Sequence, residues 1–105
     1  GTHIPLYCYF KPETNYKELL IKEIIRQADE NMKSDTPPYF DDYRKLIVEN
    51  FNPNSYYLTP EGMAIYYQQY EIAPYATGIV VFIIPYSIIG WYPECLCRFV
   101  KLNEN

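Results

Sequence analysis

One carboxylate in this sequence lies where it could act as a general acid or base. Glu71 follows Tyr70 and precedes Tyr75 in the stretch YEIAPYATG at 70–78. Burial among aromatic rings would disfavour the charged form of a carboxyl group and so suit it for proton transfer. The alternative is a structural role, in which Glu71 accepts hydrogen bonds from backbone N–H groups or a tyrosine hydroxyl and fixes this loop to a sheet. We favour the structural role.

Other residues that commonly carry catalysis lack the required context. Asp41 and Asp42 are adjacent, but we predict that they lie in the first turn of a helix, where negative charge favours the helix dipole. The serines have no Gly-x-Ser-x-Gly context, and His3 is the only histidine, so a hydrolase triad has nothing from which to assemble. We therefore expect no enzymatic activity and no catalytic residue in this chain.

The cysteines do not predict a metal site. Cys95 and Cys97 form a Cys-x-Cys pair, which lacks the Cys-x-x-Cys spacing of thioredoxin-like or zinc-knuckle sites. Two interpretations stay open: three small buried apolar side chains, or a disulfide from Cys8 to Cys95 or Cys97. We expect neither a bound metal nor another cofactor.

Composition predicts one domain with a partly polar core. The 105 residues are enough for one hydrophobic core and too few for two, so residues 1–105 are predicted to form a single domain. The chain contains 13 tyrosines, so many core positions must place a hydroxyl beside a hydrogen-bond partner. The formal net charge of −4 comes without a cluster of lysine or arginine, which argues against nucleic acid as a partner.

No segment is predicted to span a membrane. The longest apolar stretch, at 79–91, is interrupted by Pro85 and Tyr86 and is shorter than the roughly 18 residues that a spanning helix needs. No basic segment precedes an apolar one near the start, so we expect that any export signal or anchor has been removed or was never present. With Gly1 at its start, the chain is interpreted as an excised domain.

Hydrophobic periodicity predicts the elements of the first half of the chain. Alternating β-formers at 4–10 predict a first strand. Asn15, with Glu18 three residues later, predicts the start of an amphipathic helix of about four to five turns. The dipeptide Thr-Pro at 36–37 predicts the start of a second, shorter helix that ends before Pro53.

The second half of the chain has the two-residue period of strands. Two such segments flank Pro60-Glu61-Gly62, which predicts a hairpin whose turn uses a positive φ at Gly62. The apolar segment 78–84 predicts a central strand, and residues 91–102 are compatible with an edge strand. The predicted fold class is α+β, with an antiparallel sheet of three to five strands and two helices packed on one face.

Strand parity predicts which tyrosines of the hairpin face outward. Met63, Ile65 and Tyr67 form the more apolar set and are predicted to pack against the helices. Tyr66, with Tyr56 on the paired strand, is then predicted to form an outward binding surface for a protein or a glycan. The alternative is a tyrosine-rich core whose hydroxyl groups reach the rim.

Motifs between residues 55 and 89 resemble a known domain type. YLTPEG at 57–62, YEIAPYATG at 70–78 and FIIPY at 82–86 are similar to the C-terminal domain shared by RsiV-type anti-sigma factors and PdaC-type peptidoglycan deacetylases. The two helices before the hairpin also agree, whereas residues 90–105 diverge. The resemblance covers about two thirds of the chain, and its motif residues can be explained as loop architecture: Tyr70, Glu71, Pro74, Tyr75 and Gly78.

The resemblance implies an extracytoplasmic domain, usually behind an N-terminal membrane anchor or lipid attachment. The anti-sigma branch uses this domain to sense envelope stress, with lysozyme as the known type of partner. In the deacetylase branch, the chemistry belongs to a separate catalytic domain. We therefore expect a non-catalytic binding or sensing domain of a bacterial cell-envelope protein. The alternatives are an accessory domain of a peptidoglycan-modifying enzyme that contacts cell-wall glycan, and a purely structural module.

Overall fold

The computed structural model describes residues 6–10 and 14–89 of the chain. These residues form three helices, α1 (Tyr16–Asn31), α2 (Tyr43–Glu49) and α3 (Tyr86–Ile89), and one sheet with strands β1 (Tyr56–Leu58), β2 (Gly62–Tyr67) and β3 (Val80–Pro85). Short 3-10 turns lie at Leu6–Tyr9 and Tyr75–Thr77. None of the helices in the described ranges is long and apolar enough to cross a membrane.

The sheet is antiparallel, with β2 between β1 and β3. Together with the helices, this arrangement confirms the predicted α+β class. The segment 78–84 does supply a strand, but its predicted central position is wrong for the described residues, because β3 pairs only with β2 there. The edge strand considered at 91–102 lies outside the described residues.

One hydrophobic core lies between the helices and one face of the sheet. Ile65 of β2 and Phe82 of β3 are directly opposite in the register, and both are buried in this core. In β3 the buried residues Val80, Phe82 and Ile84 alternate with more exposed ones, whereas nearly all of β2 is buried, including Ala64 on its other face. The helices contribute a further set of buried side chains at helical spacing: Leu20, Ile24, Ala28 and Ile47.

Helix α1 begins where the sequence predicts. Asn15 Oδ1 accepts a hydrogen bond from the backbone N–H of Glu18 at 3.3 Å, and Asn15 Nδ2 donates to Glu18 Oε2 at 3.0 Å. The cap satisfies one of the N–H groups that a helix start leaves unpaired. Further along α1, Gln27 Nε2 donates to the backbone oxygen of Ile83 at 2.9 Å and attaches the helix to β3.

The strand predicted at 4–10 is wrong for its described part. Leu6–Tyr9 form a 3-10 turn, in which residues three apart lie on the same side. Leu6 and Tyr9 are therefore buried together in the core. The Tyr9 ring meets the Tyr56 ring edge-on, with 5.8 Å between centroids. This packing outweighs the local β-propensity.

Helix α2 begins at Tyr43 and not after Thr36, as the sequence predicts. Thr36 and Pro37 each precede a proline, and a residue before proline is disfavoured in the helical conformation. The N–H of Phe40 donates instead to the backbone oxygen of Ile72 at 3.0 Å. A contact with the loop after β2 therefore holds this segment outside the helix.

Because α2 begins at Tyr43, the acidic pair Asp41 and Asp42 lies before the helix. Both residues are exposed and precede α2, so their predicted place in its first turn is wrong. Asp42 occupies the N-cap position, but its side chain makes no capping hydrogen bond. The charges still lie at the positive end of the helix dipole.

The hairpin predicted around Pro60-Glu61-Gly62 is confirmed, but the reason for its glycine is different. Gly62 does not have the predicted positive φ; among the described glycines, only Gly78 has one, at 76°. A Cβ at Gly62 would lie 2.3 Å from the backbone oxygen of Ile84. Glycine is therefore required by the close approach of β2 and β3.

Candidate binding surfaces

The tyrosine of β2 that points inward is a core residue. Met63, Ile65 and Tyr67 are buried on the face that Ile65 shares with Phe82, whereas Tyr66 on the other face is half-buried, which confirms the predicted orientation of the strand. The Tyr67 hydroxyl donates to the backbone oxygen of Ile47 at 2.8 Å and so links β2 to α2. Burial, and secondarily the charge of Glu71, raises the pKa of Tyr67 well above its usual value. Tyr67 therefore stays neutral and structural.

Tyr56 faces the core, so its predicted outward orientation is wrong. The register pairs Tyr56 with Ile65, and directly paired residues share one face of a sheet. Tyr57 faces outward in its place and is 49% exposed. Two adjacent tyrosines fit either face of the sheet equally well, so the geometry of the turn decides which of them faces the core.

The sheet face opposite the helices carries exposed apolar side chains. The rings of Tyr57 and Tyr66 lie 6.2 Å apart between centroids. Val81 is directly opposite Tyr66 in the register and is 42% exposed, whereas Tyr66 itself is half-buried. We call Tyr57, Tyr66 and Val81 the sheet-face patch. None of its members is charged, so it is an apolar contact surface.

Glu71 is engaged with the backbone of its own loop. Its Oε1 accepts a hydrogen bond from the N–H of Gln68 at 2.6 Å, and its N–H donates to the Gln68 oxygen at 3.1 Å. Asn50 Nδ2 donates to the backbone oxygen of Glu71 at 2.9 Å. These are the contacts that a structural role requires, because they close the turn after β2 and tie it to the end of α2.

The same loop exposes two tyrosine rings beside a phenylalanine. Tyr70 has a positive φ of 71°, a conformation that bulky residues rarely adopt. Its ring lies 6.3 Å from that of Phe40 and 5.9 Å from that of Tyr75, between centroids. We call Phe40, Tyr70 and Tyr75 the loop aromatic cluster. The sequence motifs predict loop architecture for both tyrosines and give no signal for Phe40, which lies 30 positions before Tyr70.

Pro74 and Gly78 bracket the turn that carries Tyr75. The backbone oxygen of Pro74 accepts from the N–H of Thr77 at 2.9 Å, and the N–H of Gly78 donates to the Tyr75 oxygen at 3.0 Å. Gly78 has a φ of 76° and a ψ of −153°, a combination that other residues rarely reach. The Thr77 hydroxyl also donates to the backbone oxygen of Pro38 at 3.3 Å. The turn is therefore fixed to the segment that holds Phe40.

Charged side chains on α1 form two networks outside both aromatic surfaces. Arg26 Nε and Nη2 donate to the two oxygens of Glu23 at 2.8 Å each, and Gln27 donates to Glu23 at 2.8 Å. The Arg26 hydrogen bonds hold the pKa of Glu23 below its usual value, although burial acts in the opposite direction. This network stabilises a buried carboxylate next to the contact with β3.

The second network joins α1 to α2. Asp29 accepts hydrogen bonds from the Tyr43 hydroxyl and from Arg44, whose Nε and Nη2 lie 3.0 Å from its two oxygens. The Tyr43 hydrogen bond, followed by that of Arg44, lowers the pKa of Asp29. The same contact raises the pKa of Tyr43. Both groups therefore keep their charge states at neutral pH and connect the helices.

A groove beside α1 lies apart from both aromatic surfaces. The groove, of about 520 Å³, is lined mainly by α1 residues from Asn15 to Arg26 and by Ile88, and it includes no member of either aromatic surface. Within residues 6–10 and 14–89, no group of three His, Cys, Asp or Glu side chains could hold a metal ion. His3, Cys95 and Cys97 lie outside the described residues.

The model of one protein family covers most of the described residues. A family model described as protein of unknown function (DUF3298) matches residues 10–87. That range contains α1, α2 and the whole three-stranded sheet, and with them both aromatic surfaces. No curated protein matches the chain significantly. Because the family model covers well over half of the sequence, the chain belongs to the DUF3298 family.

Proposed function

We propose that this chain is a non-catalytic extracytoplasmic binding or sensing domain of a bacterial cell-envelope protein. The observation that carries the proposal is the sheet-face patch, in which Tyr57, Tyr66 and Val81 present apolar surface on a regular sheet. Tyrosine rings give a large contact area at low entropic cost and are enriched in protein interfaces. A patch without charged side chains suits a protein surface better than a phosphate backbone.

The non-catalytic role is supported by the contacts of the strongest catalytic candidate. Glu71 Oε1 accepts a hydrogen bond from the Gln68 N–H at 2.6 Å, within the turn after β2. This hydrogen bond holds the carboxylate against the backbone of its own loop. The carboxylate is therefore better suited to fixing the loop than to acting on a substrate.

The proposed location and partner rest on the sequence motifs. YLTPEG at 57–62 and YEIAPYATG at 70–78 resemble the domain with which RsiV-type anti-sigma factors sense lysozyme-type envelope stress. Both motifs lie inside the range that the family model matches. We therefore propose a lysozyme-type protein as the partner of the sheet-face patch, and a full-length protein anchored at the cell surface or in the periplasm.

A lysozyme-binding measurement tests this proposal. The immobilised chain should bind lysozyme, and Tyr66→Ala should weaken the interaction by about 1–3 kcal/mol, as interface aromatic residues commonly do. Tyr75→Ala removes an exposed tyrosine outside the patch and serves as the matched control, with unchanged affinity expected. Circular dichroism confirms that both variants fold. Absence of lysozyme binding, or an equal loss in both variants, would count against the proposal.

A second candidate function is an accessory domain of a peptidoglycan-modifying enzyme that contacts cell-wall glycan. The observation that favours it is the loop aromatic cluster, a separate surface whose Tyr70 and Tyr75 are 65% and 62% exposed. Co-sedimentation with purified peptidoglycan tests this candidate. The wild-type chain and Tyr57→Ala should sediment with the polymer, whereas Tyr75→Ala should stay in solution.

A further inference from the structure

The loop aromatic cluster presents a continuous strip of three rings. The Tyr70 ring is inclined by 28° to that of Phe40 and by 43° to that of Tyr75. The centroid distances of 6.3 and 5.9 Å are those of rings in mutual contact, so no ligand fits between them. A ligand must therefore lie across the outer surface of the strip, where Tyr70 and Tyr75 are both exposed.

Hydrogen bonds between distant segments hold this strip in place. The N–H of Phe40 donates to Ile72, Asn50 donates to the backbone of Glu71, and Thr77 donates to Pro38. A surface fixed before binding loses little conformational entropy when a ligand arrives. These contacts therefore preorganise the exposed rings.

The backbone of Tyr70 gives an independent sign of function. Its φ of 71° is strained for an aromatic residue, and such strain persists only where the surrounding structure imposes it. The ring that this backbone carries is the middle one of the strip and is 65% exposed. Strained backbone conformations cluster at active sites, ligand clamps and switch regions.

The side chains next to the rings in sequence include groups that can form hydrogen bonds and none with a positive charge. Gln68 and Gln69, which precede Tyr70, are exposed amides that can both donate and accept. Asp41, which follows Phe40, is an exposed acceptor. No lysine or arginine adjoins any of the three rings in sequence. Among these sequence neighbours a phosphate-bearing ligand would meet the Asp41 carboxylate and no cation, so they suit a neutral, hydroxyl-rich ligand.

We infer that the loop aromatic cluster is a saccharide-binding site. A pyranose ring has a face of C–H groups and a rim of hydroxyl groups. The C–H face stacks on the exposed rings of Tyr70 and Tyr75, while neighbouring amide and carboxylate groups such as Gln69 and Asp41 bind the hydroxyl groups. Two adjacent rings suit two consecutive units of an unbranched chain. The inference rests on the second candidate function and is independent of the sheet-face patch.

Titration with chitotetraose, the β-1,4-linked tetramer of N-acetylglucosamine, tests the inference on the full chain. Backbone amide chemical shifts should change saturably, with the largest changes in residues 68–78 and at Phe40. Tyr70→Gly removes the central ring while keeping the backbone, because glycine adopts a positive φ without strain. Tyr70→Gly and Tyr75→Ala should each raise the Kd about tenfold. Tyr57→Ala, on the sheet-face patch, should leave the Kd unchanged.

Each outcome decides between saccharide stacking and another use of the rings. Absence of saturable shifts, or binding that Tyr70→Gly and Tyr75→Ala leave intact, overturns the inference. Binding of cellotetraose with equal strength supports stacking on the pyranose ring alone, and weaker binding supports additional recognition of the acetamido group. If peptidoglycan sediments with the chain while chitotetraose does not bind, the second candidate function stands and the saccharide-stacking site is refuted.

Discussion

Replacing Gly62 with alanine should destabilise the sheet through a contact between β2 and β3. An ideal Cβ at this position lies 2.3 Å from the backbone oxygen of Ile84 and 2.8 Å from its carbonyl carbon. Real Cβ atoms essentially never come closer than 3.0 Å to such atoms, so the two strands must move apart. The obstacle is main chain, which cannot rotate away as a flexible side chain could.

The expected cost combines steric strain with weakened hydrogen bonds. Overpacking a rigid site costs about 1–3 kcal/mol. Moving Gly62 also disturbs its N–H and C=O contacts with the backbone of Thr59, at 3.3 and 2.9 Å, and each hydrogen bond contributes about 1 kcal/mol. Gly62→Ala should therefore lower the free energy of unfolding by about 2–4 kcal/mol, a large part of the roughly 5–15 kcal/mol typical of a domain.

Urea denaturation followed by circular dichroism measures this effect. Glu61→Ala, an exposed position in the same turn, is the matched control and should stay within about 0.5 kcal/mol of the wild type. If Gly62→Ala unfolds at the same urea concentration as Glu61→Ala, β2 and β3 do not approach each other as closely as argued. The assignment of glycine to close packing would then be refuted.

Two further substitutions test polar contacts. Glu71→Gln should lower the free energy of unfolding by about 1–2 kcal/mol, because a neutral amide oxygen accepts a weaker bond from Gln68; an unchanged denaturation midpoint would contradict the structural role. The Tyr43 and Arg44 contacts lower the pKa of Asp29 in the folded state. The ionised Asp29 carboxylate therefore stabilises the fold above its ordinary pKa of 3.8, and this stabilisation is lost as the pH falls through the folded-state pKa. The melting temperature of the wild type should therefore exceed that of Asp29→Asn at neutral pH, with the difference shrinking below about pH 4; a constant difference would argue against this linkage.

Elements that depend on neighbouring residues could be predicted from the sequence. The cap of α1 forms between Asn15 and Glu18, three positions apart, so one short stretch determines it. The orientation of β2 follows from the alternation of Met63, Ile65 and Tyr67 with smaller or more polar residues. The hairpin likewise needs only a turn between two segments in which apolar residues recur at every second position.

Predictions failed where a distant segment competed with local propensity. Leu6–Tyr9 leave the strand conformation because the 3-10 turn buries Leu6 and Tyr9 together in the core. Phe40 lies outside α2 because its N–H is bound to Ile72, 32 positions later in the sequence. Neither contact has a signal in the residues next to it, since both arise only when the chain has folded.

The candidate surfaces depend on both levels. The sequence by itself supplied many tyrosines, no cluster of basic residues and a loop in which Tyr70 and Tyr75 flank Glu71. Only the tertiary structure decided that Tyr57, and not Tyr56, faces outward, because the register across the turn sets the parity of β1. It also brought Phe40 beside Tyr70, because backbone hydrogen bonds between segments far apart in sequence fix their relative position. Residue type thus determined which side chains could form a contact surface, and long-range packing determined which of them do.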